Sequence, residues 1–173
     1  MENPLVIGAL IVAIIVLAMI VPRWIRRSTE VRGRMSGRRF EEDRILEILD
    51  DLGATVVLHA PAERARALVD EIVRDDPRRF ALLDDGSYGI RFLEPDDAVA
   101  RLRPVVDGMR LQVERFGEHL GRPNTAEFWN ELRARVRDAA ASVGIESTSP
   151  EARSLFERRD GEHPIWELAE LPS

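Results

Sequence analysis

Residues 80–113, FALLDDGSYGIRFLEPDDAVARLRPVVDGMRLQV, decide the fold of this chain because their apolar side chains recur with a period of two. This period is typical of half-buried β-strands. Asp85-Gly86 and Asp107-Gly108 are signals for tight hairpin turns between such strands. The stretch therefore predicts a four-stranded antiparallel meander, in which Pro104 marks either the end of a strand or the edge of the sheet.

Helical patterns lie on both sides of the meander. Residues 54–59 predict a short strand, and Pro61 then opens a helix that runs to Asp76. Its predicted apolar face comprises Ala65, Leu68, Val69 or Val73, and Ile72. After the meander, Asn124 or Thr125 caps a long helix that ends at Gly144, and Asn124 with Glu127 resembles a capping box. The predicted apolar stripe of that helix comprises Phe128, Leu132, Val136, Ala139 or Ala140, and Val143.

Two further helices are predicted at the ends of this region. Residues 41–52 carry apolar residues on one helical face, with Gly53 as the stop. A second short helix is predicted from Pro150 to Arg158, with Ser149 as its cap. An antiparallel sheet with its helices on one face is the economical way to bury all of these patterns, which predicts an α+β fold with about five strands.

The chain therefore divides into five predicted parts. Residues 1–25 form a membrane anchor, residues 26–40 a basic juxtamembrane linker, and residues 41–53 a lead helix. Residues 54–144 form the α+β domain, a small antiparallel sheet packed by the long helix near its carboxyl end. Residues 145–173 form a carboxyl-terminal tail that is partly ordered at most.

The α+β region resembles a known superfamily. The first strand running into Ala60-Pro61-Ala62-Glu63, the meander and the helix from Asn124 to Val143 resemble the helix-grip proteins of the START-like (SRPBCC) superfamily of polyketide cyclases and lipid-transport proteins. The resemblance covers residues 54–144 and is one of pattern. It implies a sheet wrapped around the final helix, with a cavity for an apolar small molecule. The side chains expected to line that cavity are Tyr88, Phe92, Leu111, Phe128, Trp129 and Leu132.

The membrane anchor is predicted from Leu5 to Val21, seventeen consecutive residues without a charged or polar side chain. As a helix this run spans roughly 25 Å, and its extension through Ile25 reaches roughly the 30 Å of a bilayer core. The amino-terminal flank has no basic residue and no cleavage site of the A-x-A type follows, which favours a retained anchor over a signal peptide. The four residues predicted at the membrane interface are Arg23, Trp24, Arg26 and Arg27.

Charge sets the predicted orientation of the anchor. Residues 22–39 contain seven Arg against Glu30 alone, whereas residues 40–173 contain eighteen Arg against twenty-nine acids. The positive-inside rule therefore places the domain in the cytoplasm and the amino terminus outside. Ala9 and Ala13 have the small-xxx-small spacing of helix dimers, so a homodimer is possible, but an Ala-rich run gives this spacing by chance.

Composition excludes several kinds of chemistry. The chain has no Cys, which excludes disulfides, thiolate metal sites and cysteine nucleophiles. All 25 basic residues are Arg, so Schiff-base lysines and Walker-type loops are excluded as well. His59, His119 and His163 are too far apart in sequence for a local metal motif, and no cofactor is expected. The acidic domain argues against nucleic acid as a partner.

Four arginines, Arg91, Arg101, Arg103 and Arg110, fall on one predicted sheet face. They form either a surface that recognises acids or a solvated face paired with Glu94 and Glu114. No catalytic constellation accompanies them. The sequence therefore favours a membrane-anchored, non-catalytic interaction domain whose partners are the lipid bilayer and another protein. The alternative is a binder or carrier of an apolar small molecule or lipid, as the START-like resemblance implies.

Overall fold

The computed structural model describes residues 43–161 and 163–169. The predicted anchor, the basic linker and the interface residues Arg23, Trp24, Arg26 and Arg27 lie outside the described residues. The chain divides into two units between Arg44 and Ile45, and the described residues from 45 onward belong to the second unit. No helix in the described part of the chain has the length and apolarity needed to cross a membrane.

The described residues form an α+β domain with three helices and an antiparallel sheet, which confirms the predicted fold class. The elements are α1 (43–53), β1 (Val56–Leu58), α2 (Ala62–Asp75), β2 (Phe80–Leu82), β3 (Tyr88–Ile90), β4 (Ala98–Val105), β5 (Gly108–Gly117), α3 (Ala126–Ser142), β6 (Ser147–Thr148), β7 (Phe156–Arg159) and β8 (Ile165–Leu168). The strand order is β2-β3-β4-β5-β1-β6, with β8 on β5 and β7 on β8.

The meander β2 to β5 is present with the predicted hairpins. Its register places Phe80 opposite Ile90 and Leu102 opposite Leu111, so the apolar side chains fall on one face. Pro104 lies inside β4, opposite Met109. Because β3 pairs with β4 only at Ala98–Ala100, the outer edge of β4 at Pro104 has no neighbouring strand in the described residues. This position tolerates a residue that has no backbone N–H.

The carboxyl-terminal tail forms strands, so the prediction of a helix from Pro150 to Arg158 is wrong. Residues 156–159 form β7, and the described sheet has eight strands rather than about five. The Phe156 ring meets the Phe116 ring edge-on at 4.8 Å, and the Trp166 ring stacks on Phe116 at 6.1 Å. These contacts with β5 bury aromatic surface that a short isolated helix would leave exposed.

The long helix α3 buries Leu132, Val136 and Ala140 as predicted, but Trp129 takes the place of Phe128 and Val143 is exposed. Trp129, Leu132, Val136 and Ala140 are buried, whereas Phe128 is half-buried and Val143 is 48% exposed. The indole Nε1 of Trp129 donates a hydrogen bond of 3.0 Å to the backbone oxygen of Ala54, which precedes β1. This buried bond fixes the rotation of α3 on the sheet, because the indole N–H has to find an acceptor inside the core.

The predicted capping box at the start of α3 is also wrong. Thr125 is the N-cap residue and makes no side-chain capping bond. The Asn124 side chain instead donates to the backbone oxygens of His119 and Arg122, both at 3.1 Å. Asn124 therefore holds the turn that precedes the helix, where His119 and Arg122 form a backbone bridge.

Tyr88 makes the clearest prediction about pH. It is fully buried, and its hydroxyl donates a hydrogen bond of 3.0 Å to Oδ1 of Asp70 on α2. Burial, and then the bond to the Asp70 carboxylate, raise the pKa of Tyr88 above its ordinary value. Tyrosine in an unfolded chain ionises at about pH 10. The buried, protonated Tyr88 hydroxyl therefore stabilises the folded domain fully below about pH 10, and this contribution is lost as the pH rises further towards the pKa of the folded state.

Tyr88 is the single tyrosine of the chain, so tyrosinate absorbance reports on it alone. We expect no tyrosinate signal at about pH 11 while far-ultraviolet circular dichroism still shows a folded domain. The signal is expected to appear together with unfolding. A titration near pH 10 in folded protein would contradict the buried position of this hydroxyl, and Tyr88→Phe provides the blank.

Candidate ligand-binding cleft

The side chains predicted to line a cavity beneath α3 mostly form the core. Tyr88, Leu111, Trp129 and Leu132 are fully buried in a single hydrophobic cluster, and Phe128 packs against its edge. Their close packing fills the space between this part of the sheet and the helix. The sequence therefore brought the correct residues together, but as packed core.

Phe92 does not join this group, so its predicted position on the inner face of β3 is wrong. It is 41% exposed, and β3 has already ended at Ile90. The Asp97 carboxylate accepts backbone hydrogen bonds from residues 92, 93 and 94, at 3.0, 2.5 and 2.7 Å. This cap turns the chain away from the sheet directly after β3.

A cleft of about 590 Å³ opens beside β5 instead. One edge of β5 pairs with β1 at Met109–Leu111 and with β8 at Arg115–Gly117. Residues 112–114 lie between these two pairings, where the described residues provide no neighbouring strand on that edge. The cleft is lined by Thr55, Arg110, Gln112, Pro150, Ala152, Arg153, Ser154, Leu155, Leu168 and Ala169.

The cleft contains polar side chains that make no hydrogen bond to any described residue. Gln112 is 8% exposed and Thr55 is 3% exposed. Arg110 alternates with the core residues of β5, and its Nε is buried. Among the residues that the structure describes, none accepts a hydrogen bond from Arg110 Nε, and the side chains of Gln112 and Thr55 make no hydrogen bond. A buried polar group without a partner costs about 1–3 kcal/mol, so Arg110 Nε is suited to a bound polar molecule, and the side chains of Gln112 and Thr55 lie beside it in the cleft.

Two of the other arginines on this sheet face, Arg101 and Arg103, are paired. Glu114 accepts a hydrogen bond of 2.9 Å from Arg101 Nε and one of 2.6 Å from Arg103 Nε. Arg101 also pairs with Asp85. Hydrogen bonds from Ser87, together with this pairing, lower the pKa of Asp85 to about 2. For Arg101 and Arg103 the structure thus gives the solvated, paired face that the sequence left as one of two possibilities. Arg91 and Arg110 differ, because each has a buried Nε that donates to no described residue.

One wall of the cleft is tied to α1. The backbone N–H of Ser154 donates to the oxygen of Gly53 at 2.8 Å, and Arg153 Nε donates to Asp50 Oδ1 at 3.2 Å. The N–H of Ala169 closes the wall from β8 by donating to the Leu155 oxygen at 2.8 Å. The position of residues 150–155 therefore depends on the end of the lead helix.

No family model, curated protein or solved structure matches the chain. Sequence reasoning missed the cleft because its walls come from the tail, which was predicted as a helix and a loose end. The available signal was Gln112, a neutral polar residue between the apolar Leu111 and Val113.

A second depression, of about 550 Å³, lies near the end of β5 and is a weaker candidate. Several of its charged groups already pair with one another or with their neighbours. Arg115 pairs with Asp96 at 3.0 Å, and Glu118 accepts hydrogen bonds from Arg158 and Trp166 at 2.8 and 2.7 Å. The bond from Arg158 is the main cause of the lowered pKa of Glu118. Groups that are already paired in this way contribute little to the binding of a charged ligand.

The histidines do not come together in a metal site. His59 Nδ1 lies 3.1 Å from the backbone oxygen of Asp107, and its Nε2 lies 3.2 Å from the hydroxyl of Thr148, so this ring links β1 to a hairpin and to β6. His119 lies 5.9 Å from the Phe92 ring. Within residues 43–161 and 163–169, no group of three or more His, Asp or Glu side chains could hold a metal ion.

Gly53→Ala should loosen the wall of the cleft. A Cβ at this position would lie 2.6 Å from the Ser154 oxygen, which is too close, so residues 153–154 must move away. Because Ala favours the helix by about 1 kcal/mol, the overall stability of the domain should change little. Amide hydrogen exchange at Ser154 should accelerate roughly tenfold as its bond to residue 53 is lost.

The matched control for this change is Gly117→Ala. A Cβ at Gly117 would meet only the Asp97 oxygen, at 3.8 Å, which is an ordinary contact. Exchange at Ser154 should be unaffected in that variant. Unchanged exchange at Ser154 in Gly53→Ala would show that the wall is not held at Gly53.

Proposed function

We propose that this chain is a single-pass membrane protein that presents a non-catalytic α+β binding domain to the cytoplasm. The observation that carries the binding role is the cleft beside β5, where the side chains of Arg110, Gln112 and Thr55 make no hydrogen bond to any described residue. A cavity of this volume with a few convergent polar groups has the character of a small-molecule site.

The composition of the cleft supports binding rather than catalysis. Its polar side chains comprise two guanidinium groups, from Arg110 and Arg153, together with hydroxyl and amide groups. A guanidinium stays protonated at neutral pH, and an amide neither accepts nor releases a proton there. These groups orient and neutralise a ligand, but they supply no general base and no activated nucleophile.

The sequence supports the tether and its direction. The uncharged run from Leu5 to Val21 is followed at once by Arg23, Arg26 and Arg27. Arginines on one flank of an apolar segment keep that flank in the cytoplasm. The folded domain follows after a short linker, so its cleft acts close to the inner surface of the membrane.

Reporter fusions at the carboxyl terminus test this proposal. A reporter that works only in the cytoplasm should be active, one that works only outside should be silent, and the full chain should sediment with membranes. The matched variant moves three arginines from positions 23, 26 and 27 to the amino-terminal flank, and the activities of the two reporters should then exchange. An active external reporter on the unaltered chain, or recovery of the chain without membranes, would refute the tether.

The binding role needs its own measurement. Turnover of any substrate by the purified full chain, abolished by changes at Arg110 or Gln112, would show that the cleft is an active site. Ligand binding without turnover is the expected result.

A further inference from the structure

We propose that the cleft beside β5 binds a small organic monoanion, whose carboxylate pairs with Arg110 and hydrogen-bonds to Gln112. This inference rests on the proposed binding role of the domain and names the class of its ligand. Three properties of the cleft carry it: its uncompensated charge, its unpaired hydrogen-bonding groups and its apolar wall.

The charge of the cleft calls for one negative charge. Arg110 lies directly opposite Arg103 in the β4–β5 register, and like charges at such positions repel each other. Glu114 forms an ion pair with Arg103, but no described side chain forms an ion pair with Arg110. The second guanidinium of the cleft, from Arg153, is already paired with Asp50. A monoanion therefore balances the site, whereas a dianion would leave one charge uncompensated.

The hydrogen-bonding groups suit a carboxylate. Arg110 presents a planar set of N–H donors, which match the two oxygens of a carboxylate. Gln112 lies two residues after Arg110 on β5, so both side chains emerge on the same face of the sheet. The amide of Gln112 and the hydroxyl of Thr55 can each donate one further bond. Water would satisfy these groups in the absence of ligand, but it would not neutralise Arg110.

The wall formed by residues 150–155, 168 and 169 supplies the apolar side chains of the cleft. These apolar residues are Pro150, Ala152, Leu155, Leu168 and Ala169. Leu155 is 65% exposed, so an apolar group that covers it gains contact area. The ligand class is therefore a carboxylate that carries a short alkyl or aromatic portion, small enough for about 590 Å³.

Binding of three matched probes to the full chain in uncharged detergent micelles tests this proposal. Hydrocinnamate carries the carboxylate, hydrocinnamamide is its neutral isostere, and phenylpropyl phosphate carries a second charge. We expect hydrocinnamate to bind at least about tenfold more tightly than the amide, because a hydrogen bond to a charged group is worth about 1.5–3 kcal/mol. The side-chain amide signals of Gln112 should shift in NMR spectra when hydrocinnamate binds.

Two variants assign the effect to the cleft. Arg110→Gln should weaken hydrocinnamate binding at least about tenfold and leave the amide unaffected. Arg115→Gln removes the same charge from the same strand outside the cleft and should change affinity less than about twofold. Should Arg110→Gln fail to fold, Gln112→Leu keeps the test intact, because it removes the amide while preserving an apolar side chain of similar size.

Each other outcome overturns a defined part of the argument. Equal binding of the amide, or tighter binding of the phosphate, would refute the carboxylate class while the cleft remained a binding site. Unchanged affinity in Arg110→Gln would refute the role of this arginine. If no probe binds and the Gln112 signals do not move, the carboxylate proposal is wrong, whereas the tether and its orientation are decided separately by the reporter fusions.

Discussion

Trp129→Ala should destabilise the domain by about 3–5 kcal/mol, the usual cost of removing a fully buried tryptophan. Trp129 is the largest of the fully buried side chains, and it reaches the beginning of β1 through its bond to Ala54. Its removal leaves a cavity beneath α3 and a buried carbonyl oxygen without a donor. Since small domains are stable by only about 5–15 kcal/mol, much of the stability would be lost.

The neighbouring Phe128 provides the matched control. It is also aromatic and on the same helix, but it is half-buried at the edge of the core, with Arg79 placed 5.8 Å over its ring. Phe128→Ala should therefore cost only about 1 kcal/mol. Thermal unfolding of the full chain, followed by circular dichroism in detergent micelles, measures both variants. Equal losses in the two variants would contradict the described rotation of α3 on the sheet.

Gly108→Ala should destabilise the domain by at least about 3 kcal/mol. Gly108 begins β5 with a φ of 147°, a conformation that residues with a side chain rarely adopt. A Cβ there would also lie 2.1 Å from the backbone oxygen of Leu58, so β1 would have to move away from β5. The change therefore combines backbone strain with a broken strand pairing at the centre of the sheet.

Gly144→Ala separates these two causes. Gly144 has a φ of 70°, but a Cβ at that position meets nothing within 4 Å. Only the conformational strain applies, so the loss should be about 1–2 kcal/mol. Chemical denaturation of the two full-length variants gives the comparison. A loss for Gly108→Ala no larger than that for Gly144→Ala would show that β1 does not pack closely against residue 108.

Much of the fold could be predicted because its signals are local. The hairpin at Asp107-Gly108 closes β4 and β5 as expected, and all five residues predicted for the apolar face of α2 are buried. A strand is predicted from the alternation of apolar and polar residues along the chain, and this alternation can be read directly from the sequence. The predicted solvated pairing of Arg101 and Arg103 with Glu114 likewise follows from their shared sheet face.

The errors arose where distant contacts outweigh local pattern. Residues 150–158 look helical alone, but Phe156 gains more by packing against Phe116, forty residues earlier in the chain. At the start of α3, the hydrogen bond between Trp129 and Ala54 goes with burial of Trp129 where Phe128 was predicted. Neither preference can be read from a local window, because it exists only after β1 and β5 have paired.

The sequence by itself determined the α+β class, the meander, the helix faces and the expectation of a cytoplasmic domain behind a membrane anchor. Only the tertiary structure decided where a ligand could bind. The tail adds β8 to the same edge of β5 that β1 occupies, and the cleft is the gap between them. Arg110 and Gln112 both line this cleft because strands far apart in sequence enclose them, so no local pattern could reveal it.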